Sequence, residues 1–197
     1  MPLILNIETA TEVCSVALSR DGKIISIRES QNGFTHSENI TVFIKQVVEE
    51  SGVPLTALDA IAVSKGPGSY TGLRIGVSTA KGLCFALDKP LIAIPTLQAL
   101  TYGFLTKTSN FKLQTSNFFC PMLDARRMEV YCSILDSELN EVEPTNARII
   151  DKNSFEIYLD SNHVSFFGSG AMKCKSIISN PNAIFIDDVF ASASSMI

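Results

Sequence analysis

A glycine-rich stretch, SKGPGSYTGLRIGVSTAKGL at residues 64–83, is the part of the sequence best suited to hold a ligand. A strand, a Gly-Pro-Gly turn and a helix N-terminus together present backbone N–H groups that can bind a phosphate. The Walker spacing is absent, because neither Gly66 nor Gly68 is followed by Gly-Lys at the required distance. The dinucleotide pattern G-x-G-x-x-G fails at Thr71. Two interpretations stay open: an anion-binding loop, or a sharp turn in which Ser69 or Thr71 caps the next helix.

Few other side chains have the spacing of a catalytic or metal site. The chain has two histidines, and neither His36 nor His163 has a second histidine three or four positions away, as a helical metal pair requires. We expect His36 at the surface near a helix start and His163 in a turn. In LDARRMEVY, Asp124 precedes Arg126 and Arg127, which would bind a phosphate or a partner's carboxylate, or else form internal ion pairs. The sequence therefore predicts no catalytic residue and no metal site.

The composition is that of an ordinary globular protein. The 197 residues carry a formal net charge of −4, so a basic nucleic-acid surface is not expected at the level of the whole chain. No apolar run approaches the roughly 20 residues that span a bilayer, and the N-terminal stretch lacks the basic region of a signal peptide. The five cysteines are widely spaced and odd in number, which favours buried free thiols in a reducing cytoplasm.

Alternating strand and helix patterns surround the glycine-rich stretch. The predicted strands cover residues 3–8, 13–19, 24–29, 60–63 and 91–94. Thr35 and Glu38 have capping-box spacing before a helix at 37–51, and a second helix is predicted at about 71–87. The loop therefore follows one strand and opens the second helix.

The second predicted helix is apolar or small around most of its circumference. Gly72, Gly76, Ala80 and Leu83 share one side, while the polar stripe is narrow. A helix of this kind is normally buried on more than one side. Either the small side packs on the protein's own sheet, or it meets the helix of a partner protein. Glycines inside a helix cost about 0.5–1 kcal/mol each, which either kind of packing would have to offset. We favour the partner, because the helix is apolar or small around nearly its whole circumference.

The second half of the chain repeats the first. EVCSVAL at 12–18 aligns with EVYCSIL at 129–135, and VSFF followed by GSGA at 164–171 resembles AIAV followed by GPGS. The repeat predicts two α/β lobes of like fold. We place them at 1–105 and 118–197, joined by a flexible polar connection at 106–117, with the second lobe truncated at a sequence typical of a helix start.

Six segments together resemble the bacterial TsaB (YeaZ) family: LNIETATEVCSVAL, HSEN, GPGSYTGLRIG, IPTLQAL, DARRMEVY and GSGA. The resemblance implies an α/β fold of the actin-like ATPase (ribonuclease H-like) class, with two related lobes whose mixed sheets are flanked by helices. It also implies a non-catalytic scaffold subunit of the complex that transfers threonylcarbamoyl to N6 of the adenosine beside the anticodon of ANN-decoding tRNAs. In such a complex the subunit binds the paralogue TsaD, the ATPase TsaE joins, tRNA is contacted only indirectly, and a homodimer forms when TsaD is absent.

The same resemblance implies where the functional residues lie. The partner interface uses the first two helices, and the residues assigned to it are Ile40, Phe43, Ile44, Val47, Gly72, Arg74, Gly76, Ala80 and Leu83. The candidate nucleotide- or anion-binding residues are Thr9, Thr11, Gly66, Gly68, Ser69 and Asp124. No intrinsic cofactor is expected, since ATP or ADP and a divalent metal would belong to partner subunits or a shared interface. Glu8 replaces the aspartate usual in the fold, which argues against ATP hydrolysis by this chain. The alternative is a metal-dependent glycopeptidase-like hydrolase or a small-molecule kinase of the actin-like class.

Overall fold

A computed structural model of the chain describes residues 1–31, 36–107 and 117–197. Most of the predicted connection at 106–117, and the predicted cap at Thr35, lie outside these described residues. Internal contacts divide the chain into two compact units: Met1–Gly103 together with Ala191–Ile197, and Phe104–Phe190. Residues 191–197 therefore belong with the first unit, whereas the sequence pattern placed them in the second lobe.

The first unit is a five-stranded mixed sheet. Its strands are β1 (Leu3–Glu8), β2 (Cys14–Arg20), β3 (Lys23–Ser30), β4 (Ala60–Ser64) and β5 (Leu91–Ile94), in the spatial order β3-β2-β1-β4-β5. The first three strands form an antiparallel meander, and β4 and β5 extend it in parallel with β1. Each parallel strand needs a helical crossover, supplied by α1 (His36–Ser51) before β4 and α2 (Tyr70–Leu87) before β5. A third helix, α3, covers Thr96–Lys107.

The core of the first unit lies between one face of this sheet and helices α1 and α2. Leu5, whose register partners are Leu18 on β2 and Ile61 on β4, lies at its centre. From α1, Ile40 and Val47 are buried against the same strands. Full burial of one such aliphatic side chain contributes about 1.5–3 kcal/mol. The helical periodicity of α1 therefore reflects packing on its own sheet.

The second unit repeats the topology of the first. Its strands are β6 (Phe118–Asp124), β7 (Glu129–Asp136), β8 (Glu141–Ile149), β9 (Val164–Phe167) and β10 (Ala183–Ile186), in the order β10-β9-β6-β7-β8. The first three are again antiparallel, and the last two again run parallel to the first. Its helices α4 (Glu156–Leu159) and α5 (Ala171–Cys174) are single turns. The internal repeat predicted from the sequence is confirmed in strand order and pairing.

The last residues pack on the sheet of the first unit through hydrogen bonds. The backbone N–H of Ala193 donates to Ser15 Oγ at 2.9 Å. Both the Ser15 hydroxyl, at 2.7 Å, and the Ser192 hydroxyl donate to the carboxylate of Glu29. These contacts join residues 191–197 to β2 and β3, and residues 191–197 therefore group with the first unit and not with the second. Among the helices that the structure describes, none has both the length and the apolar character to cross a membrane.

Candidate functional site

The carboxyl ends of β1 and β4 meet at one edge of the first sheet, and a buried carboxyl group lies between them. Glu8 Oε1 accepts hydrogen bonds from the Ala10 backbone N–H at 2.6 Å and the Ser64 hydroxyl at 2.8 Å. Glu8 is fully buried, and its Oε2 atom has no hydrogen-bond partner. Desolvation raises the pKa of Glu8 from 4.5 to about 7, although the bonds from Ala10 and Ser64 act to lower it. Glu8 therefore keeps its proton to a higher pH than an exposed carboxyl group does.

The glycine loop next to this edge is held by bonds within the chain. Ser69 is the N-cap of α2, because its Oγ accepts the Gly72 N–H at 3.2 Å. The Ser69 N–H itself donates to Ala10 O at 2.6 Å. Of the remaining candidate anion-binding residues here, the Thr9 hydroxyl donates to Gly72 O, and Thr11 Oγ1 accepts from a backbone N–H. The turn-and-cap interpretation is confirmed at Ser69, and anion binding stays a prediction.

The small side of α2 is covered by its own molecule. Gly72, Gly76 and Ala80 are buried. A Cβ atom on Gly72 would lie 2.1 Å from the backbone oxygen of Thr9, and one on Gly76 would lie 2.2 Å from the Thr9 hydroxyl. These glycines thus allow α2 to approach the loop after β1, and that packing offsets their cost in helix propensity. The prediction that Gly72, Gly76 and Ala80 face a partner protein is therefore wrong.

Most of the other predicted interface residues also point into the first unit. Ile40, Ile44 and Val47 are buried in its core, while Phe43 and Leu83 are partly buried against it. The assignment of Ile40, Ile44 and Val47 to a partner surface is therefore wrong. The apolar stripe of a helix marks the side that faces the protein's own sheet. Arg74 alone among the predicted nine residues is exposed.

The exposed side of α2 carries a large apolar side chain. We define the outer face of α2 by Arg74, Ser78, Lys81 and Phe85, which are all exposed. Phe85 is 93% exposed. The Arg74 guanidinium stacks over the ring of Tyr70, 3.9 Å from its centroid. The helical wheel places Phe85 beside the polar stripe of Arg74, Ser78 and Lys81, and an aromatic residue at such a position is the sequence signal for an exposed apolar side chain.

The corresponding edge of the second unit carries an exposed acid paired with a lysine. Asp124, which ends β6, accepts bonds from Lys173 Nζ at 2.8 Å and from the Arg126 N–H at 2.6 Å. Lys173 also donates to the backbone oxygens of Arg127 and Glu129. Lys173 thus offsets the charge of Asp124 and holds the β6–β7 turn. No local pattern in the sequence indicates Lys173, because it lies 49 residues from its partner Asp124.

The two histidines differ in their surroundings. His163 is exposed, whereas His36 is 4% exposed, so the prediction of a surface position for His36 is wrong. His36 Nε2 lies 2.8 Å from Thr11 O, a carbonyl oxygen that can only accept, so Nε2 carries the hydrogen. Within residues 1–31, 36–107 and 117–197, no three His, Cys, Asp or Glu side chains lie together as a set of metal ligands.

The two mixed five-stranded sheets share one strand order, and helices flank them. This arrangement is that of the actin-like ATPase (ribonuclease H-like) fold. A family model for TsaD, tRNA N6-adenosine threonylcarbamoyltransferase, matches residues 31–177. The chain is 38% identical to the tRNA threonylcarbamoyladenosine biosynthesis protein TsaB of Haemophilus influenzae over 130 residues, which are 66% of this chain and 52% of that protein. The TsaB protein of Escherichia coli is 36% identical over 133 residues, which are 65% of this chain and 52% of that protein. The chain belongs to the family that the TsaD model describes.

A solved structure supports the fold over the whole chain. YeaZ from Pseudomonas aeruginosa has a TM-score of 0.80 and 25% identity, and the match covers 100% of this chain and 89% of that one. The chain spans about half the length of the curated relatives it matches.

Proposed function

We propose that the protein is a non-catalytic partner subunit in the synthesis of threonylcarbamoyladenosine in tRNA, and that it acts by binding and supporting a TsaD-type transferase. The named relatives motivate the pathway. The proposal includes a TsaE-type ATPase in the complex, a homodimer when the transferase is absent, and only indirect contact with tRNA. ATP or ADP and a divalent metal would be bound by the partners or at a shared interface. The chain would act in the cytoplasm.

The observation that carries the proposal is the exposure of Phe85 on the outer face of α2. Burying a phenylalanine side chain stabilises an association by about 1.5–3 kcal/mol, and leaving it in water forgoes that stabilisation. Aromatic and arginine side chains contribute most of the binding energy at protein interfaces. Phe85 and the stacked pair of Tyr70 and Arg74 supply such groups on one helix whose opposite side is already buried. The docking surface proposed is thus the outer face of α2, in place of its small side.

The two acidic residues at the sheet edges support a role without catalysis. Glu8 is buried and receives hydrogen bonds from Ala10 and Ser64. Asp124 is paired with Lys173. Neither carboxyl group is therefore presented as a free anionic ligand for a nucleotide-bound metal ion. The alternative is a metal-dependent glycopeptidase-like hydrolase or a small-molecule kinase of the actin-like class, and turnover by the purified chain alone would favour it.

The test compares two apolar-to-acidic substitutions at exposed positions. Phe85→Asp changes the outer face of α2, and Ile157→Asp is the matched control, since Ile157 is 82% exposed on α4. We expect Phe85→Asp to weaken binding to the TsaD-type transferase by about 30-fold, the effect of losing about 2 kcal/mol at an interface. Ile157→Asp should bind as the unsubstituted protein does. Calorimetry measures both affinities, and circular dichroism verifies that both variants are folded.

Equal affinities of the two variants would refute the assigned surface. The role itself is tested by mixing the protein with its own organism's transferase, ATPase and tRNA. Modification of tRNA that requires all components supports the proposal. Peptidase or kinase turnover by the purified chain alone would overturn it in favour of the alternative.

A further inference from the structure

The edge strand β5 of the first unit is apolar and exposed. It is the last strand of its sheet, beside β4, and its four residues are Leu-Ile-Ala-Ile. Leu91, Ile92 and Ala93 are exposed, the first two at 37% each. Because neighbouring residues of a strand point to opposite faces of the sheet, this edge exposes apolar side chains on both faces.

The hydrogen bonds between β4 and β5 fix which backbone groups of β5 face outward. Backbone N–H groups of β4 and of the residue after it donate to the carbonyl oxygens of Pro90 at 3.0 Å and of Ile94 at 2.8 Å. Residues of a parallel strand bond alternately to one side and to the other, so Pro90, Ile92 and Ile94 are turned toward β4. The N–H and C=O groups of Leu91 and Ala93 therefore point away from β4, at the open edge of the sheet.

The other edge strands carry features by which natural sheets avoid pairing with another chain. β3 contains three charged residues, and its pairing with β2 has a register shift. β8 contains three charged residues and a proline, and its pairing with β7 shifts register twice. β10 is uncharged, but all its residues are partly buried. Among the strands that the structure describes, β5 alone exposes an uncharged edge, and such an edge is a template for strand pairing.

A second copy of the chain fits this edge in one antiparallel register. The outward backbone groups of one strand must oppose those of the other, so Leu91 pairs with Ala93 of the second copy and exchanges N–H···O bonds with it. Ile92 then lies opposite its own counterpart. Pro90 faces Ile94 of the second copy at a position without hydrogen bonds, where its missing N–H costs nothing. The paired stretch contains no charged side chain, so this register brings no like charges together.

We propose that β5 pairs antiparallel with β5 of a second copy of this chain, which joins the two five-stranded sheets into one continuous sheet about a two-fold axis. Ile92 packs against its counterpart at the axis, and such a pair of β-branched side chains stabilises a sheet. The inference specifies the surface of the homodimer in the proposed function and rests on that part of it. It uses β5, whereas the surface assigned to the transferase is the outer face of α2.

The experiment measures dimerisation of the full chain by sedimentation equilibrium in the presence of a reductant. Ile92→Lys places like charges opposite each other at the axis, and we expect it to raise the dimer dissociation constant by about tenfold or more. Ile24→Lys is the matched control, because Ile24 is 47% exposed on β3, the opposite edge of the same sheet. It should leave the dissociation constant unchanged. Circular dichroism verifies that both variants are folded.

Cysteine substitutions test the register. They are made in a Cys84→Ser background, which removes the partly exposed native thiol. Ile92→Cys should form a disulfide between two copies on mild oxidation, because the Cβ atoms of a directly opposed, non-hydrogen-bonded pair lie about 4.5 Å apart. Leu91→Cys should form far less, because the two copies of that residue are diagonal, at about 7–8 Å. Electrophoresis without reductant measures the linked dimer.

The outcomes separate this inference from the proposed homodimer. A chain that stays monomeric at every concentration measured would refute both. A dimer that Ile92→Lys and Ile24→Lys leave equally stable would refute the role of β5 and leave the homodimer standing. If Ile92→Lys did not fold, linking of Ile92→Cys would decide, and linking no more efficient than that of Leu91→Cys would refute the pairing.

Discussion

Replacing Glu8 by glutamine tests the charge state of the buried carboxyl group at the end of β1. Glutamine has the shape of the protonated acid, and its oxygen can accept the same bonds from Ala10 and Ser64. It cannot ionise, so it removes the cost of burying a carboxylate without changing the packing. The free energy of unfolding of the variant should therefore depend less on pH than that of the unsubstituted protein.

The size of the effect follows from the pKa of Glu8, which is raised from 4.5 to about 7 in the folded protein. A raised pKa means that the folded protein keeps this proton in a range where the unfolded chain has released it. The stabilisation is fully present below pH 4.5 and is lost as the pH rises to about 7. At 1.36 kcal/mol per unit, the full loss is about 3.4 kcal/mol, of which about 2.5 kcal/mol falls between pH 5 and pH 8.

The assay is urea unfolding of both proteins at several values between pH 5 and pH 8. Circular dichroism is the suitable signal, because the chain has no tryptophan for fluorescence. Glu8→Gln should gain about 2.5 kcal/mol relative to the unsubstituted protein across this range. Glu12→Gln is the control for removing one carboxyl group, since Glu12 is exposed in the same loop. If the difference between Glu8→Gln and the unsubstituted protein were the same at pH 5 and pH 8, the assignment of a proton to Glu8 would be wrong.

Two further predictions concern the packing of α2 and the turn of the second unit. Gly72→Ala should lower the free energy of unfolding by about 2 kcal/mol, because the added Cβ would lie 2.1 Å from the backbone oxygen of Thr9. Gly82→Ala should raise the free energy of unfolding by about 0.5–1 kcal/mol, because a Cβ at Gly82 would have no other atom within 4 Å and alanine favours the helix. Urea unfolding measures both, and a stabilised Gly72→Ala would contradict the close approach. Lys173→Met removes three hydrogen bonds at the β6–β7 turn and should lower the free energy of unfolding by about 1–2 kcal/mol. Hydrogen exchange at the Glu129 amide should become faster. Unchanged exchange at that amide would argue against the role of Lys173 in holding the turn.

The secondary structure was readable from the sequence because its signals are local. Predicted strands at 60–63 and 91–94 match β4 (Ala60–Ser64) and β5 (Leu91–Ile94), and the second predicted helix matches α2 to within one residue at its start. Alternation, helical periodicity and the Ser69 cap depend only on residues close together in the chain. The same local patterns occur in both halves, so the repeat of one topology was also predictable.

The functional assignments depended on contacts that no local pattern contains. Periodicity identifies the apolar or small side of α2, but it does not indicate whether the protein's own residues or a partner protein cover that side. Thr9 and Gly72 are 63 positions apart in the chain, and their contact shows that the protein's own residues cover this side. The same holds for Lys173 beside Asp124 and for the end of the chain beside Glu29. The sequence by itself determined the elements and the family, whereas tertiary packing alone decided which surfaces remain for a partner, because burial is a property of residues brought together from distant parts of the chain.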